Sequence, residues 1–465
     1  MNKSYQLAIV GAGPAGLAAA GVAAGAGVEV ALFDEQPAPG GQIFRAIESV
    51  PNKRAELLGP DYMRGAKLVD DFRQCGAAYF PETSIWSINS EREIGIIHQA
   101  KARLIQAQRI LITGGAMERP LPFQGWTLPG VMNAGAAQVL MKSAGIVPDT
   151  DVVLAGKGPL LLLLAWQYAR SGVKISAILD IAPLGNWFKA LRHIPKALLA
   201  GHYITKGLVY KRDLYRLGVK SYHGITDLCA SGDERLSKVK FTHQGKAHTM
   251  QAPLLLTQFG IVPNTHLTMS IACKHYWNHS QMCWCPSIDG WGNTSVSGVA
   301  VAGDNAAIGG AVAAEHAGRL AALEALRALG KIEVHERDRR AQDDRSWMRA
   351  DLRIRPFLEA LYRPPQAMLD VLDDDIIVCR CEEIAAGEIR QAVKDGHQDS
   401  NQVKFFTRAG MGACQGRQCG NAVAHIISHA LGRSMEEVGH FRIRPPIKPI
   451  SLSQLTDLNT QGESG

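Results

Sequence analysis

The chain opens on an unbroken apolar run, Leu7-Ala8-Ile9-Val10, that stops at Gly11-Ala12-Gly13-Pro14-Ala15-Gly16 and gives way to an alanine-rich segment, Leu17 to Ala24. Apolar residues without polar alternation predict a strand buried on both faces, and the segment after the glycines predicts a helix. Val28 to Phe33 predicts a second strand, ending at Asp34-Glu35. Ile85 to Ile97 suggests a small hairpin, and Arg109 to Ile112 a strand that stops at Thr113-Gly114-Gly115. Val299 to Ala302 predicts another, stopping at Gly303-Asp304 ahead of Gly309-Gly310 and a helix from Ala311 to Leu329. Strands alternating with helices predict an α/β protein built on parallel sheets.

The opening pattern recurs near residue 150. Val152 to Ala155 predicts a strand, Gly156-Lys157-Gly158-Pro159-Leu160-Leu161 a glycine loop and helix start, and Val173 to Leu179 a strand ending at Asp180. Gly11 to Glu35 and Gly156 to Asp180 share a separation of 24 positions. Such a repeat argues for two nucleotide-binding folds in one chain. In the first copy, Gly11 permits the tight turn, Gly13 the approach of backbone to pyrophosphate, and Gly16 the close packing of helix on strand. In the second copy Leu161 stands where the third glycine belongs, which holds helix and strand apart. A working NAD(H) site and a vestigial fold both remain open on this reading.

The apolar pattern also bounds the domains. The expected divisions are an FAD-binding domain in two parts, 1–145 and 263–330, with an NAD-like nucleotide-binding domain, 146–262, inserted between them. A charged helical linker, 331–369, with a break at Pro364-Pro365, leads to a cysteine-bearing domain, 370–450, and a tail, 451–465. Glu118 to Trp126, punctuated by Pro120 and Pro122, reads as the crossing between the first two domains. Asp304, at a strand end before a helix, suits hydrogen bonding to a polyol such as ribitol, although an N-cap aspartate would look the same. Paired glycines at Gly40-Gly41, followed by Gln42, let backbone amides approach a second phosphate-bearing group.

Composition adds limits. Of 465 residues, 46% are apolar and 20% charged, as in ordinary folded domains. The most apolar run, Leu160 to Trp166, is too short to span a bilayer, and no secretory signal precedes the first strand, so a cytoplasmic location is expected. The net charge is +7, and between Lys189 and Lys220 lie eight Lys or Arg residues against one acid, Asp213. A solvated helical surface accounts for that run, with a docking face for an acidic partner subunit as the alternative. No basic arm with interleaved aromatics points to nucleic acid.

Four of the nine cysteines crowd into one region: Cys379 and Cys381 as C-x-C, then, after 32 residues, Cys414 and Cys419 as C-x4-C. Thiolates suit zinc and iron–sulfur clusters alike, but C-x-C fits the usual zinc spacing poorly, and the glycines around Cys414 and Cys419 free amides to hydrogen-bond cluster sulfides. An electron-transfer cluster is the simpler reading. Cys75 and Cys229 read as small core residues, and Cys283-Trp284-Cys285, with Cys273, His275 and His279 nearby, lacks good ligand spacing.

Together these motifs resemble the α (A) subunits of two-component FAD-dependent amine and amino-acid dehydrogenases. That family includes the α (A) subunit of opine oxidase, hydroxyproline and proline dehydrogenase α subunits, and the flavin/iron–sulfur subunit of hydrogen cyanide synthase. The resemblance rests on Asp34-Glu35-Gln36-Pro37 through Gly40-Gly41-Gln42, on Glu118-Arg119-Pro120 with Gly125 to Val131, and on Gly156, Gly158 and Leu161. It rests also on Arg408 to Gly412 with Cys414 to Cys419, similar to a bacterioferritin-associated-ferredoxin-like domain. It implies a two-dinucleotide-binding-domain flavoprotein of glutathione/thioredoxin-reductase type with a C-terminal [2Fe-2S] domain. FAD would lie at Gly11, Gly13, Gly16, Glu35, Gly41, Gln42, Thr113, Gly114, Gly303 and Asp304, and the cluster at Cys379, Cys381, Cys414 and Cys419. A further adenine nucleotide or flavin would involve Gly156 and Gly158 or a subunit interface. The implied partners are an FAD-containing β (B) subunit that oxidises the amine and a small γ subunit. This chain would carry no catalytic base of its own. Two rivals of other classes stand beside this reading: an NAD(P)H-dependent flavin or ferredoxin reductase, and a non-enzymatic assembly subunit stabilised by a nucleotide.

Overall fold

In the computed structural model, which describes residues 4–364, 370 and 372–459, the first apolar run forms the strand Ser4–Val10 at the middle of a seven-stranded sheet. Val30–Phe33 pairs with it in parallel on one side, Leu7 opposite Val30, and Lys101–Ile112 on the other. The late strand Val299–Val301 lies parallel to Ile110–Ile112, so the chain leaves this sheet, builds a second unit and returns. The hairpin expected near Ile85 is Thr83–Ile88 with Glu93–His98, and it continues antiparallel into Lys101–Ile112. The strand expected from Arg109 therefore begins eight residues earlier, because its first half pairs with the hairpin and only its second half with the parallel core. The strands expected from Val28 and Val173 begin at Val30 and Ile175.

Residues 131–258 form a second, all-parallel sheet ordered Ser221–His223, Ile175–Asp180, Val152–Gly156, Leu254–Gln258, Val131–Asn133. One face packs on the antiparallel meander Thr226–Ser231, Lys238–His243, Lys246–Gln251, through Val153, Ala177 and Leu179 against Val239 and Phe241. Its other face carries the helix Pro159–Arg170, whose Leu164, Ala165 and Tyr168 join a core shared with Leu17, Leu32, Leu58 and Tyr62 of the first unit. Each large side chain buried there contributes about 1.5–3 kcal/mol relative to exposure, so the two nucleotide folds are held as one body.

The stretch expected as a helical linker on the surface forms a helix there. The helix Val334–Asp351 packs along Ala311–Ala328, where the buried Glu324 accepts hydrogen bonds from Arg327 and Arg337, both at 2.6 Å. Pro365 lies outside the described residues. The C-terminal unit pairs Ile377–Cys379 with Ile384–Ala385 and surrounds them with the helices Ala386–Lys394, Ser400–Thr407 and Gly420–Leu431. Its core of Val378, Ile389, Val403 and Ile427 continues into Trp277 and Trp284 of the hairpin His275–Asn278, Cys283–Pro286. Cys283 and Cys285 lie buried under Val262 in a separate cluster, Cys75 and Cys229 are only half-buried, and His275 bonds Thr268 and the Cys273 carbonyl.

Candidate functional site

At the carboxyl end of the first sheet, Thr113 ties the two central strands together: its hydroxyl donates to the Val10 carbonyl at 2.9 Å and to that of Gly11 at 2.8 Å. Gly11 sits at φ +109°, and a Cβ there would come within 2.6 Å of the Thr113 carbonyl oxygen. A Cβ at Gly16 would overlap the Gly11 carbonyl, so the helix Pro14–Ala24 closes onto its strand only because residue 16 has no side chain. Gly41 (φ +61°) lies over Gly13, where a Cβ would reach 2.8 Å from the Gly13 Cα. The two glycine segments thus form a backbone-walled slot at a helix N-terminus, the geometry that receives a pyrophosphate.

The acids at the next strand end divide their work. Asp34 turns inward and accepts hydrogen bonds from the Ala12 amide at 2.5 Å and the Gln36 amide at 2.7 Å, bracing the loop; burial nevertheless pushes its carboxyl above the usual range. Glu35 stays accessible, 47% exposed, and carries an ion pair from Lys448. Asp304 places Oδ1 at 2.8 Å from the amides of both Gly309 and Gly310, the cap-like contact that sequence could not distinguish from a polyol contact.

Three further residues shape this site, and of them only Glu118 lies in a stretch the sequence singles out. Asn305, fully buried, accepts from the Gly114 amide at 2.9 Å and donates to the Asn264 carbonyl at 2.7 Å, joining three loops. Lys142 donates to the carbonyls of Gln42 (3.1 Å) and Ile43 (3.0 Å); burial first, then Arg45, lowers its ammonium to about 7. The signal for it is a single charge inside an apolar helix, Ala134–Ala144. Glu118 caps that helix by accepting from the Gly135 and Ala136 amides, and burial raises its carboxyl to about 7.

The second glycine loop has a different occupant. Lys157, buried between Gly156 and Gly158, donates its ammonium to the Tyr362 carbonyl, and Asn186 donates to the carbonyls of Leu361 and Arg363, each at 3.2 Å. Burial first, then Asp180 at the neighbouring strand end, raises the Tyr362 hydroxyl to about 12. The crevice where a doubly wound sheet takes its ligand is therefore covered by the chain's own Leu361–Arg363.

In the C-terminal unit, Cys379 faces Cys419 and Cys381 faces Cys414, with the pairs close enough to interact electrostatically. Cys379 and Cys419 are buried, Cys381 is exposed and Cys414 half-buried. The Cys419 contact, reinforced by the amides of Gly410, Glu382 and Cys381, lowers the Cys379 thiol to about 5. Among the described residues, no three or more Cys, His, Asp or Glu side chains, these four thiols included, are gathered closely enough to hold a metal ion. Trp126 Nε1 to the Ile377 carbonyl (2.7 Å) and His266 Nε2 to the Gln415 carbonyl (2.9 Å) bind this unit to the rest.

Residues 5–322 match the pyridine nucleotide-disulphide oxidoreductase family and 376–457 the sarcosine oxidase A3 domain. The A-type subunit of opine oxidase from Rhizobium meliloti is 40% identical over 98% of this chain and 88% of its own length. The chain belongs to the family of opine oxidase A-type subunits. Hydrogen cyanide synthase subunit HcnB of Pseudomonas aeruginosa is 32% identical, covering 97% of this chain and 98% of that protein. The crystal structure of L-proline dehydrogenase from P. horikoshii shares the fold, with a TM-score of 0.70 at 19% identity over 97% of this chain and 79% of that one. As a member of this opine oxidase family the chain is an oxidoreductase component that works with partner subunits, and its larger domain indicates FAD binding. No described helix is long and apolar enough to cross a membrane.

Proposed function

We propose that this chain is the electron-relaying α component of an opine oxidase-like complex, in which a separate FAD-bearing β subunit oxidises the C–N bond of a secondary-amine amino acid of the octopine or nopaline type. FAD would take the first slot, its pyrophosphate against Gly11, Gly13, Gly16 and Gly41, the adenosine ribose toward Glu35, and the ribitol toward Asp304 and Gly303. Thr113, Gly114 and Gln42 complete the walls. A [2Fe-2S] cluster, which carries one electron at a time, would be held by Cys379, Cys381, Cys414 and Cys419. The observation that carries the relay reading is the pairing of these thiols. Two facing pairs supply two thiolates for each of two irons, with one pair buried toward the core and the other open to the surface. The Leu361–Arg363 segment lying over the second glycine loop weighs against the NAD(P)H reductase alternative. A hydroxyproline dehydrogenase α or hydrogen cyanide synthase role differs only in the partner's substrate. Location in the cytoplasm fits the reduced thiols this reading needs.

The test is reconstitution. The α and β subunits, expressed together and apart, are assayed for dye reduction with octopine, nopaline, proline and hydroxyproline, and the visible spectrum of α is recorded. The expected result is activity only from the pair, with flavin and iron–sulfur bands on α. Oxidation of any of these amines by α alone would refute the relay role.

A further inference from the structure

The hairpin His275–Asn278, Cys283–Pro286 carries two thiols that the relay does not use. Side chains alternate across a strand, so Trp284 turns toward the C-terminal core while Cys283 and Cys285 share the opposite face. Their sulfurs are 3.9 Å apart, and both residues are fully buried. Two buried cysteines are ordinary core material in themselves. The neighbour that sets this pair apart is Arg119.

Arg119 is buried and reaches the turn of the hairpin, donating from Nη1 to the Met282 carbonyl and from Nη2 to the Gln281 carbonyl, both at 2.6 Å. Its Nε is buried without a hydrogen-bond partner. Among the described residues no carboxylate pairs with it, and the group whose charge supports its guanidinium is Cys283. A cation taken out of water without an anion beside it is costly, so the arrangement favours Cys283 as the thiolate. Contact with the Cys285 thiol first, then Arg119, lowers Cys283 against the opposing effects of burial and of Glu359. The Cys283 contact first, then burial, raises Cys285 and keeps it protonated. One sulfur is thus a nucleophile and the other a proton-bearing partner within reach, the division of labour in a thiol–disulfide couple.

The pair also lies against both loops that wall the first slot. Met117, three residues beyond Gly114, and Ala307, three beyond Asp304, pack on it together with Val262. Gln281, in the turn of the same hairpin, accepts from the Ile308 amide and donates to the Ile308 carbonyl, each at 2.9 Å. Any shift of the two sulfurs is therefore felt where the slot is built.

We propose that Cys283 and Cys285 form a redox-active dithiol/disulfide couple that exchanges an electron pair with the flavin of the first slot, an inference that rests on the FAD reading of that slot. On oxidation an Sγ–Sγ bond forms between the Cys283 thiolate and the Cys285 thiol. Two electrons and the Cys285 proton pass to the oxidised flavin, leaving it as the reduced anion. The reverse step breaks the Sγ–Sγ bond and returns both electrons and the proton.

The test uses the full chain co-expressed with its β subunit. The complex is poised anaerobically with ferricyanide or with dithionite and unfolded in an alkylating reagent, and the peptide holding residues 283–285 is weighed. The expected result is a disulfide in the oxidised sample and two alkylated thiols in the reduced one. In anaerobic dithionite titrations at matched flavin and iron–sulfur content, wild type should take up about two electrons more per chain than Cys285→Ser or Cys283→Ala. Two alkylated thiols in both samples, or equal uptake by wild type and both variants, would overturn the couple while leaving the FAD reading in place. A reversible disulfide in a chain that holds no flavin would instead overturn the FAD reading and, with it, flavin as the electron partner.

Discussion

Replacing Glu118 by glutamine should make the protein more stable, by a margin that grows as pH rises from about 4.5 to about 7. Glu118 ends the strand Ala116–Glu118, and its carboxylate receives the first amides of the helix Ala134–Ala144, from Gly135 and Ala136. Those contacts favour the anion, yet burial outweighs them and lifts the carboxyl from 4.5 to about 7; its Oε1 is buried without a partner. At 1.36 kcal/mol per pH unit, that difference between folded and unfolded chain amounts to about 3 kcal/mol at full ionisation. The folded state holds the proton more tightly, so stability is fully present below the unfolded value near 4.5 and is lost as pH rises through about 7. Glutamine keeps the acceptor for Gly135 and Ala136 and cannot ionise. Wild type and Glu118→Gln should therefore nearly match at pH ~4, with the variant ahead by about 3 kcal/mol at pH ~8. Denaturant melts of the flavin-saturated proteins at both values measure this. A gap that is the same at the two pH values, or that favours wild type at pH ~8, would refute the claim that desolvation governs this carboxyl.

Other substitutions probe the slot, the covered crevice and the thiols. Gly41→Ala brings a Cβ within 2.8 Å of the Gly13 Cα at a φ of +61°, so flavin per purified chain should fall at least tenfold, read from visible absorbance. Anaerobic NADH or NADPH should leave the flavin oxidised, and titration calorimetry with ATP should show no heat of binding; bleaching by either nicotinamide would mean the Leu361–Arg363 cover opens. Lys157→Ala strips the Tyr362 carbonyl of its buried donor and should cost about 1–3 kcal/mol in denaturant stability. Cys379→Ser and Cys414→Ser, one from each thiol pair, should each abolish the iron–sulfur bands while leaving the flavin spectrum intact.

The glycine loops are legible in sequence because their chemistry is local. A tight turn, a close approach and a helix–strand contact all fall within six residues, so spacing alone announces Gly11, Gly13 and Gly16, and the repeat announces Gly156 and Gly158. The cysteine spacing is legible for the same reason. What cannot be read are the contacts that cross the chain. Lys142 reaches back 100 residues to Gln42, Asn305 reaches back 191 to Gly114, and Lys448 reaches Glu35 from the far end. Lys142 stands out only as a lone charge in an apolar helix, and Asn305 and Lys448 differ from surface residues in nothing local; only the folded path brings their partners to them. The linker misleads in the same way. Its charge pattern is that of a solvated helix, and nothing in that pattern discloses that Glu324 waits for Arg337 or that the crevice waits for Tyr362.

The two copies of one folding unit have diverged at positions that sequence alone weighs equally. Gly16 lets the first helix close on its strand, whereas Leu161, at the matching place, is buried in the core that joins the two units. A glycine there would free space at the loop but remove an anchor between domains, a loss of about 2–5 kcal/mol for a buried leucine cut to alanine. The residue between the glycines repeats the contrast. Ala12 offers only its amide, which Asp34 engages, and leaves the slot open; Lys157 extends a cation that captures the chain's own backbone. A loop engaged by its own polypeptide is a poorer seat for a diffusing reductant. Under the relay reading, electrons then enter this chain from the oxidising partner rather than from a diffusing nicotinamide. The half-exposed pair of thiols, Cys381 and Cys414, is the part of the proposed cluster site best placed to exchange them with a neighbouring protein.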